Sequence, residues 1–384
     1  METINYQFKK ERRNLHAICS YLAMFPKEVP NKLILKYSKP GDIVYDPFSG
    51  RGTTLLEAKL ENRFALGNDL NPLAYVISKS RVDKIDIEKL FNRISKLENQ
   101  YNNENNKINF NYDEKERITV FYSEKNLKQL FFIKQKIGIN FSKNNEYDNY
   151  ILAILLGIMQ GQAKKNGDSI YVSVSMPNTY SMAPNYANNY IKKHQLKKPE
   201  SNVFDLIRNR INSNLSKDLI DEGEQGIVKF SDTLSSEIAE YINKNQLNPN
   251  LIITSPPYLN IVKYADQNWI RLWLLGFDNK NDIQEIKLDD KHSIDQYGIF
   301  IIDFLKQMNL ILKDSGKLIV IIGDVKNRIN IKNFMDSIIT ESDFKYFKNP
   351  HYEHISQSKK SSKSMGKRVG KATKKDWFFF LERI

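Results

Sequence analysis

Two short polar segments of this 384-residue chain carry residue types that could do chemistry, and each follows an apolar, β-favouring run. Residues 46–53 read Asp-Pro-Phe-Ser-Gly-Arg-Gly-Thr, and residues 254–258 read Thr-Ser-Pro-Pro-Tyr. The glycines of the first segment let a ligand approach the backbone without meeting a Cβ atom. We predict that the first segment holds a nucleotide-like cofactor and that the second holds a flat base carrying an amino group.

The glycine-rich segment differs from a phosphate-binding loop because it lacks the lysine followed by serine or threonine. Thr53 stands where a helix would begin, so its amide and hydroxyl are expected to face the same cavity. Asp69 ends the next apolar run, where a carboxylate can accept hydrogen bonds from both ribose hydroxyls of a nucleoside. A cap for a helix that begins near Asn71 is the alternative role for Asp69.

The diproline segment is stiff, because two consecutive prolines fix φ and remove two N–H donors. The Ser255 hydroxyl and the Pro256 carbonyl then offer two acceptors for the two hydrogens of an exocyclic amine. Tyr258 supplies a flat face on which an unstacked base can rest. This arrangement predicts catalysis by positioning and by acceptors aimed at developing positive charge. A rigid turn with a buried tyrosine is the alternative.

These two segments must be positioned by the alternating elements around them. Strands are predicted at residues 42–45, 63–68, 226–230, 251–254 and 317–322. Helices are predicted at residues 15–24, 31–37, 54–62, 234–243 and 294–312, and after Pro72. Such alternation predicts an α/β fold with a doubly wound parallel sheet. Residues 344–347 and 376–381 are expected to close it as an antiparallel pair.

The alternation is interrupted by residues 84–222, which we predict to be a mostly helical insertion and a candidate for target recognition. Residues 1–83 and 223–384 would form the catalytic domain. Within the insertion, the polar–apolar alternation of residues 169–175 predicts a half-buried strand. Residues 171–190 are rich in aromatic and amide side chains, and Asn178, Asn185 and Asn188 could each address a base edge. Turn and cap roles are the alternative for these asparagines.

Composition narrows the class of partner. The formal net charge of +13 favours a polyanion. Residues 358–375 contain no acidic residue and could neutralise phosphates, unless they are only a solvated basic loop. The basic residues predicted to contact DNA are Lys359, Lys360, Lys363, Lys367, Arg368 and Lys371.

Cysteine and histidine usage excludes other classes. Cys19 is the only cysteine, so an intrachain disulfide is excluded and a reducing cytoplasm is expected. We expect no secretory signal, no membrane span and no metal site, because none of the corresponding patterns is present. Trp269, Arg271 and Trp273 have helical spacing, which predicts core packing with a snorkelling arginine rather than a stacking platform.

The Asp-Pro-Phe-Ser-Gly-Arg-Gly-Thr-Thr sequence resembles the S-adenosylmethionine loop of prokaryotic DNA amino-methyltransferases, and Ser-Pro-Pro-Tyr resembles their N4-cytosine motif. The resemblance implies a doubly wound, mostly parallel, seven-stranded, Rossmann-like methyltransferase sheet, with S-adenosylmethionine as cofactor and double-stranded DNA as substrate. The cofactor-binding residues implied are Phe25, Asp46, Pro47, Phe48, Ser49, Gly50, Gly52, Thr53, Asp69 and Asp232. The catalytic residues implied are Ser255, Pro256, Pro257 and Tyr258.

The activity implied is methyl transfer to the N4 amine of a flipped cytosine, with a separate restriction endonuclease as a possible partner. The enzyme would be cytoplasmic and nucleoid-associated when bound to DNA. Adenine-N6 methylation is the first alternative, and it ranks behind cytosine because those enzymes more often carry Asp or Asn at the position of Ser255. An RNA base methyltransferase and a catalytically silent nucleic-acid-binding protein are the others. C5 methylation of cytosine needs a cysteine nucleophile, and Cys19 is far in sequence from both segments.

Overall fold

The computed structural model describes residues 15–21, 26–104, 117–214, 225–257, 264–278, 282, 286, 293–323, 330–340, 347–356 and 375–384. Phe25, Tyr258 and the six basic residues between 359 and 371 are outside this part of the chain. No helix within the described ranges is long and apolar enough to span a membrane.

In chain order the helices and strands are α1 (Glu28–Tyr37), β1 (Ile43–Asp46), α2 (Thr53–Leu60), β2 (Phe64–Asp69), α3 (Pro72–Val82), α4 (Ile87–Glu104), α5 (Glu124–Ile133), α6 (Glu146–Ile158), α7 (Pro184–Lys193), α8 (Val203–Asn214), β3 (Ile227–Phe230), α9 (Ser236–Lys244), β4 (Leu251–Thr254), α10 (Tyr264–Leu274), α11 (Ile294–Ile311), β5 (Lys317–Gly323), α12 (Ile331–Thr340), β6 (Phe347–Ser356) and β7 (Lys375–Arg383). Short 3₁₀ turns at Arg117–Val120 and Phe141–Lys143 and a π turn at Lys134–Gly138 are also present.

The seven strands form one sheet in the order β3-β2-β1-β4-β5-β7-β6. The first five strands in that order are parallel to one another, and β7 pairs antiparallel with both β5 and β6. The predicted doubly wound, mostly parallel sheet is confirmed. An antiparallel pair closes it as expected, but its first strand is Phe347–Ser356 rather than the predicted residues 344–347, of which only Phe347 is described. The chain moves outward from β1 through β2 to β3 and then returns to β4, so the order reverses between β1 and β4. Ligands of such sheets bind outside the carboxyl ends of the strands at this reversal.

The central strands are apolar on both faces, as expected for parallel strands covered by helices on both sides. Every residue of β4 is buried, and β5 is buried from Leu318 onward. One side of the core joins Tyr45 and Ile252 to Phe304 and Met308 of α11. Full burial of each such aliphatic or aromatic side chain stabilises the fold by roughly 1.5–3 kcal/mol. The sheet therefore gives the two motif segments a rigid base.

The contacts divide the chain into two compact units. The sheet unit comprises the described residues of 22–78, 223–264 and 286–384. The helical unit comprises the described residues of 1–21, 79–222 and 265–285. Its outer two stretches are ones that the sequence prediction assigns to the catalytic domain. The part described after residue 264 is helix α10, whose Trp269 and Trp273 are buried within the helical unit.

Arg271 of α10 is buried, at 3% exposure, so the predicted snorkelling is wrong although the predicted core packing is right. Its guanidinium donates to the carbonyl of Leu156 at 3.0 Å. It also donates to the carbonyl of Ser20 at 3.1 Å and to the hydroxyl of Ser20 at 2.8 Å. A buried charge is stabilised when its donors are met in this way.

Two predicted elements are wrong. Residues 16–21 form turns and bends rather than the predicted helix. Residues 169–175 are not a strand, because their N–H groups find carbonyl partners outside any strand. Val172 donates to Ile158 at 2.9 Å and Val174 donates to Phe121 at 2.8 Å. Val172 and Val174 are buried. The alternation of polar and apolar residues therefore reflects which side chains are buried, although this segment is not part of a sheet.

Candidate functional site

Asp46 ends β1 with its carboxylate buried, at 2% exposure. Its Oδ1 accepts a hydrogen bond from the Thr254 hydroxyl at 2.7 Å and from the Phe48 amide at 3.2 Å. Thr254 is the last residue of β4, and β1 and β4 are paired neighbours. The structure therefore brings the beginning of the glycine-rich segment and the beginning of the diproline segment together at one edge of the sheet.

The glycine-rich segment turns sharply because two of its residues have left-handed backbone angles. Gly50 has φ 50° and Gly52 has φ 74°, a region that glycine enters without strain. The Gly52 amide donates to the Ser49 carbonyl at 2.6 Å, and the Ser49 amide donates to the Asn68 carbonyl at 3.1 Å. These bonds hold the turn against the end of β2, and Thr53 then begins α2 as predicted.

Asp69 ends β2 and faces this turn. Its Oδ2 accepts from the Gly50 amide at 2.8 Å and its Oδ1 accepts from the Asn71 amide at 2.8 Å. The first turn of α3 is capped by another side chain, because Asn71 Oδ1 accepts from the Leu73 amide at 3.0 Å. The carboxylate of Asp69 therefore serves to join β2 to the glycine-rich turn, and its role as ribose acceptor stays a prediction.

Burial raises the pKa of both carboxyls at this edge. The pKa of Asp46 rises to about 6 because burial removes water from the charged form, and the charge of Asp69 adds to that rise. The pKa of Asp69 also rises to about 6 through burial, although the amides of Asn71 and Gly50 oppose the change. Two carboxyls at neighbouring strand ends repel phosphate and attract cations when they are ionised. The edge is therefore suited to a cationic nucleoside rather than to a nucleotide phosphate.

A buried amide that the sequence analysis did not single out fastens the three strand ends. Asn68 is fully buried, and its Oδ1 accepts from the Tyr45 hydroxyl. Its Nδ2 donates to the Ser231 carbonyl at 3.2 Å and to the Thr233 hydroxyl at 3.1 Å. Thr233 in turn donates to the Pro47 carbonyl at 2.5 Å. The sequence signal for this residue is a polar amide at the end of the apolar run 64–67, because a buried amide needs hydrogen-bond partners.

Phe48 and Asp232 are predicted to bind the cofactor, and both have contacts within the protein. The Phe48 ring packs on Phe300 and Phe304 of α11, with centroids 5.8 and 5.4 Å away. Asp232 is exposed after β3, and its Oδ1 accepts from the Leu234 amide at 3.0 Å in a local turn. Neither contact tests the predicted roles, which stay predictions.

Two serine hydroxyls near the end of β2 could contact a ligand. Within the described residues, Ser49 Oγ and Ser231 Oγ are buried and have no hydrogen-bond partner. Ser231 also donates its amide to the Asp69 carbonyl at 3.3 Å, so it lies beside the same strand end. Buried hydroxyls without partners are rare in folded proteins. A polar nucleoside that accepts or donates hydrogen bonds fits such a lining.

The diproline segment is described as far as Pro257. Ser255 is half-buried, Pro256 is buried and Pro257 is exposed. Because Ser255 directly follows Thr254, it lies one residue from the contact with Asp46. The catalytic roles of Ser255, Pro256 and Pro257 stay predictions, as does that of Tyr258. Among the described residues, no group of three or more His, Cys, Asp or Glu side chains could hold a metal ion.

Comparison with known proteins shows which enzymes this chain is similar to. A profile of the DNA methylase family covering N6 and N4 enzymes matches residues 2–80. The type II methyltransferase M.MjaII of Methanocaldococcus jannaschii is 23% identical over 91% of this chain and 81% of its own length. These matches support a prokaryotic DNA modification methylase of the N6/N4 family. The predicted resemblance is confirmed at this level, and S-adenosylmethionine as cofactor is supported with it.

Two further matches are more partial. The type II methyltransferase M.MvaI of Kocuria varians is 24% identical over 71% of this chain, which spans only 57% of that relative. Among solved structures, the rRNA methyltransferase aviRa from Streptomyces viridochromogenes aligns over 97% of this chain and 94% of its own, with 8% identity and a TM-score of 0.38. The fold is established by the strand order rather than by that superposition.

Proposed function

We propose that this chain transfers a methyl group from S-adenosylmethionine to the N4 amine of a cytosine flipped out of double-stranded DNA. The observation that carries the proposal is the 2.7 Å hydrogen bond between Thr254 and Asp46. It joins the strand end that begins the cofactor segment to the strand end that begins the base segment. A methyl group can cross only a short distance, so the two segments must start side by side.

The cofactor would be held by the residues at the end of β1 and β2. Asp69 would accept from the ribose hydroxyls, the Gly50–Gly52 turn would lie against the nucleoside, and Asp46 would favour its positive charge. Asp232 is the proposed partner of the adenine amine. When bound, S-adenosylmethionine supplies an electrophilic methyl group on a sulfonium.

The base would be held by the diproline segment. The Ser255 hydroxyl and the Pro256 carbonyl would accept the two hydrogens of the amine, which shifts electron density onto its nitrogen. The nitrogen would be aimed at the methyl group that the bound cofactor supplies, and the proton that the methylated amine loses would pass to solvent. Tyr258 would stack on the extruded ring. These groups act by position and by acceptor geometry, without a covalent intermediate on the protein.

The choice of cytosine N4 rests on serine at position 255. Adenine N6 is the second candidate, because its enzymes more often carry Asp or Asn at that position. Residues 359–371 would contact phosphates and give salt-sensitive affinity. A restriction endonuclease acting on the same DNA sequence would be the partner in a restriction-modification system. The type II names of the relatives support this context.

The test is the substitution Ser255→Ala, with Ser337→Ala on the exposed face of α12 as the matched control. We expect kcat on DNA to fall roughly 100- to 1000-fold, the range for loss of one acceptor or donor at a reacting centre. The affinity for S-adenosylmethionine should stay within about twofold, because Ser255 is proposed to contact the base and not the cofactor. The control should match the wild type in both measurements. Tyr258→Ala should also abolish transfer while retaining the cofactor.

Mass spectrometry of nucleosides from the methylated DNA identifies the product. N4-methylcytosine supports the proposal, and N6-methyladenine replaces it with the second candidate. Methylation of single-stranded RNA in preference to DNA would overturn the choice of substrate. An equal loss of cofactor affinity in both the Ser255 and Tyr258 variants would contradict the separation of the two segments.

A further inference from the structure

Helix α7 (Pro184–Lys193) of the helical unit presents an unusual outward face. Asn185, Asn189 and Lys192 are exposed and lie within about 60° of one another around the helix axis. Lys193 borders this group on one side, and Asn188 is exposed on the other. We call these five residues the amide–lysine face.

The opposite face of α7 explains why this orientation is fixed. Ala187 is fully buried and Ile191 is partly buried, so the helix packs inward through these positions. It contacts the 3₁₀ turn Arg117–Val120 of the same unit. Tyr186 and Tyr190 stack along one flank with ring centroids 6.4 Å apart and an interplanar angle of 16°. The amide–lysine face is therefore held toward solvent by packing on the other side.

The segment that leads into α7 is anchored by hydrogen bonds to three other parts of the helical unit. The Ser181 amide donates to the Gln267 carbonyl at 2.8 Å, and Trp269 Nε1 donates to the Met182 carbonyl at 3.1 Å. The Tyr180 carbonyl accepts from Gln160 Nε2 at 2.7 Å. The Thr179 hydroxyl accepts from the Ser20 hydroxyl at 2.8 Å. Because the segment before α7 is held by these hydrogen bonds, the helix is preorganised for a binding partner.

The stretch of sequence that contains α7 carries charge of one sign. Residues 169–199 contain no aspartate or glutamate, and they include Lys192, Lys193, Lys197 and Lys198. Lys198 is engaged, because its ammonium donates to the Thr119 carbonyl at 2.7 Å. The other three lysines are exposed, and no exposed carboxylate within this stretch repels a phosphate.

We propose that α7 enters the major groove of duplex DNA and that its amide–lysine face reads base edges of the target sequence. This inference rests on the proposed DNA methyltransferase function. The major groove admits an α-helix, asparagine can bond both N6 and N7 of adenine, and lysine can bond O6 and N7 of guanine. Ten residues extend for about 15 Å, enough to cover a few base pairs.

Asn178, the first of the three candidate asparagines, is half-buried and lies in a local turn. Asn178 Oδ1 accepts from the Tyr180 amide at 3.1 Å, which is the local turn role that competes with base contact. Asn185 and Asn188 remain exposed, and Asn189 joins them. The candidate for sequence readout therefore narrows from the whole of residues 171–190 to α7.

The test compares the double variant Asn185→Ala/Asn189→Ala with the matched pair Asn102→Ala/Asn103→Ala at the exposed end of α4. Alanine is a better helix former than asparagine, so the α7 variant should keep its helix. Modified-base sequencing of host DNA first defines the sequence that the wild type methylates. The kcat/KM is then measured on that duplex and on duplexes with single base-pair changes.

We expect the α7 double variant to lose about 10- to 100-fold in kcat/KM on the target duplex and to lose discrimination at one or two base pairs. Its melting temperature and its affinity for S-adenosylmethionine should match the wild type, and the α4 pair should behave as wild type throughout. Wild-type rate and discrimination in the α7 variant would overturn the helix proposal alone. Absence of methylated bases with the wild type would overturn the proposed function, and the helix proposal with it. A loss confined to single-stranded RNA binding would also overturn the groove-reading role.

Discussion

The carboxyl edge of β1 and β2 and the amide–lysine face of α7 have opposite charge and opposite burial. The edge holds two carboxyls, with Asp46 at 2% exposure, and burial raises the pKa of each to about 6. The face is exposed and lies in a stretch with lysines and no acidic residue. One region suits a small cation and the other suits a polyanion, so the two proposed ligands are distinguished by the sign of their charge.

The contrast also concerns energy. Burial of a charged carboxylate is unfavourable, and this is the cause of the raised pKa of Asp46. Exposed lysines cost the fold little, but their attraction for DNA is screened by salt. We therefore expect substitutions at the edge to change stability and cofactor binding, and substitutions on the face to change only the interaction with DNA.

Among substitutions in these two regions, the largest expected effect is the loss of cofactor affinity in Asp69→Asn. Loss of the charged acceptor weakens two hydrogen bonds to the ribose, so affinity for S-adenosylmethionine should fall roughly 100-fold or more. Isothermal titration calorimetry measures it. Asp303→Asn, on an exposed part of α11, serves as the control and should leave the affinity unchanged. An Asp69 variant that binds the cofactor as the wild type does would remove the edge from the site.

Asp46→Asn should stabilise the protein without cofactor at alkaline pH. The folded-state pKa of Asp46 is raised, so its contribution to stability is fully present below pH 4 and is lost as pH rises through about 6. The asparagine keeps an acceptor for Thr254 but carries no charge. The free energy of unfolding at pH 8 should rise by up to roughly 3 kcal/mol, as a pKa rise of two units implies. Urea unfolding at pH 4 and pH 8 measures it, and an equal change at both pH values would contradict the prediction.

The affinity for S-adenosylmethionine should increase as pH rises, whereas the stability contributed by Asp46 decreases. Ionised carboxyls favour a cation, so the affinity for S-adenosylmethionine should decrease as pH falls below about 6. The decrease should approach tenfold per pH unit for each carboxyl that must ionise on binding. Titrations between about pH 5 and 7.5 test this, and the slope should be smaller in Asp69→Asn. A pH-independent affinity would mean that neither carboxyl meets the cofactor.

The smallest expected effect comes from Lys192→Gln and Lys193→Gln. Each should weaken duplex binding a few-fold near physiological salt and lower the slope of log affinity against log salt by about 0.9 if it neutralises a phosphate. A lysine that contacts a base edge instead should alter sequence preference. Lys89→Gln on α4 is the control, since this side chain is also exposed. Fluorescence anisotropy across a salt series separates the two outcomes.

The sheet was predictable because its strands are short apolar runs buried on both faces. Residues 42–45 and 251–254 were recognised as strands, and the motif that follows each run indicated which strand ends would carry the chemistry. The wrong strand at residues 169–175 has the same alternation as a real one. What differs is the partner of its N–H groups, which lies far away in the chain at Ile158 and Phe121. Local pattern cannot report such partners.

The site was predictable where residue types were distinctive and not where they were ordinary. Asp46 and Asp69 were identified from their positions after strands, whereas Asn68 was overlooked within an apolar run although it ties together the ends of β1, β2 and β3. The exposed face of α7 also required the structure. Its asparagines are ordinary turn formers in sequence, and only the burial of Ala187 shows which side of the helix is free.

The bond between Thr254 and Asp46 spans 208 positions, and this separation has a consequence for synthesis. At roughly 5–20 residues per second, a ribosome needs on the order of 10–40 seconds to travel from one partner to the other. During that interval the nascent β1 has an unpaired edge where β4 will later add. A truncated chain that ends before residue 251 therefore exposes the unpaired edge of β1, which can pair with other chains. Binding by a chaperone during elongation would protect this edge.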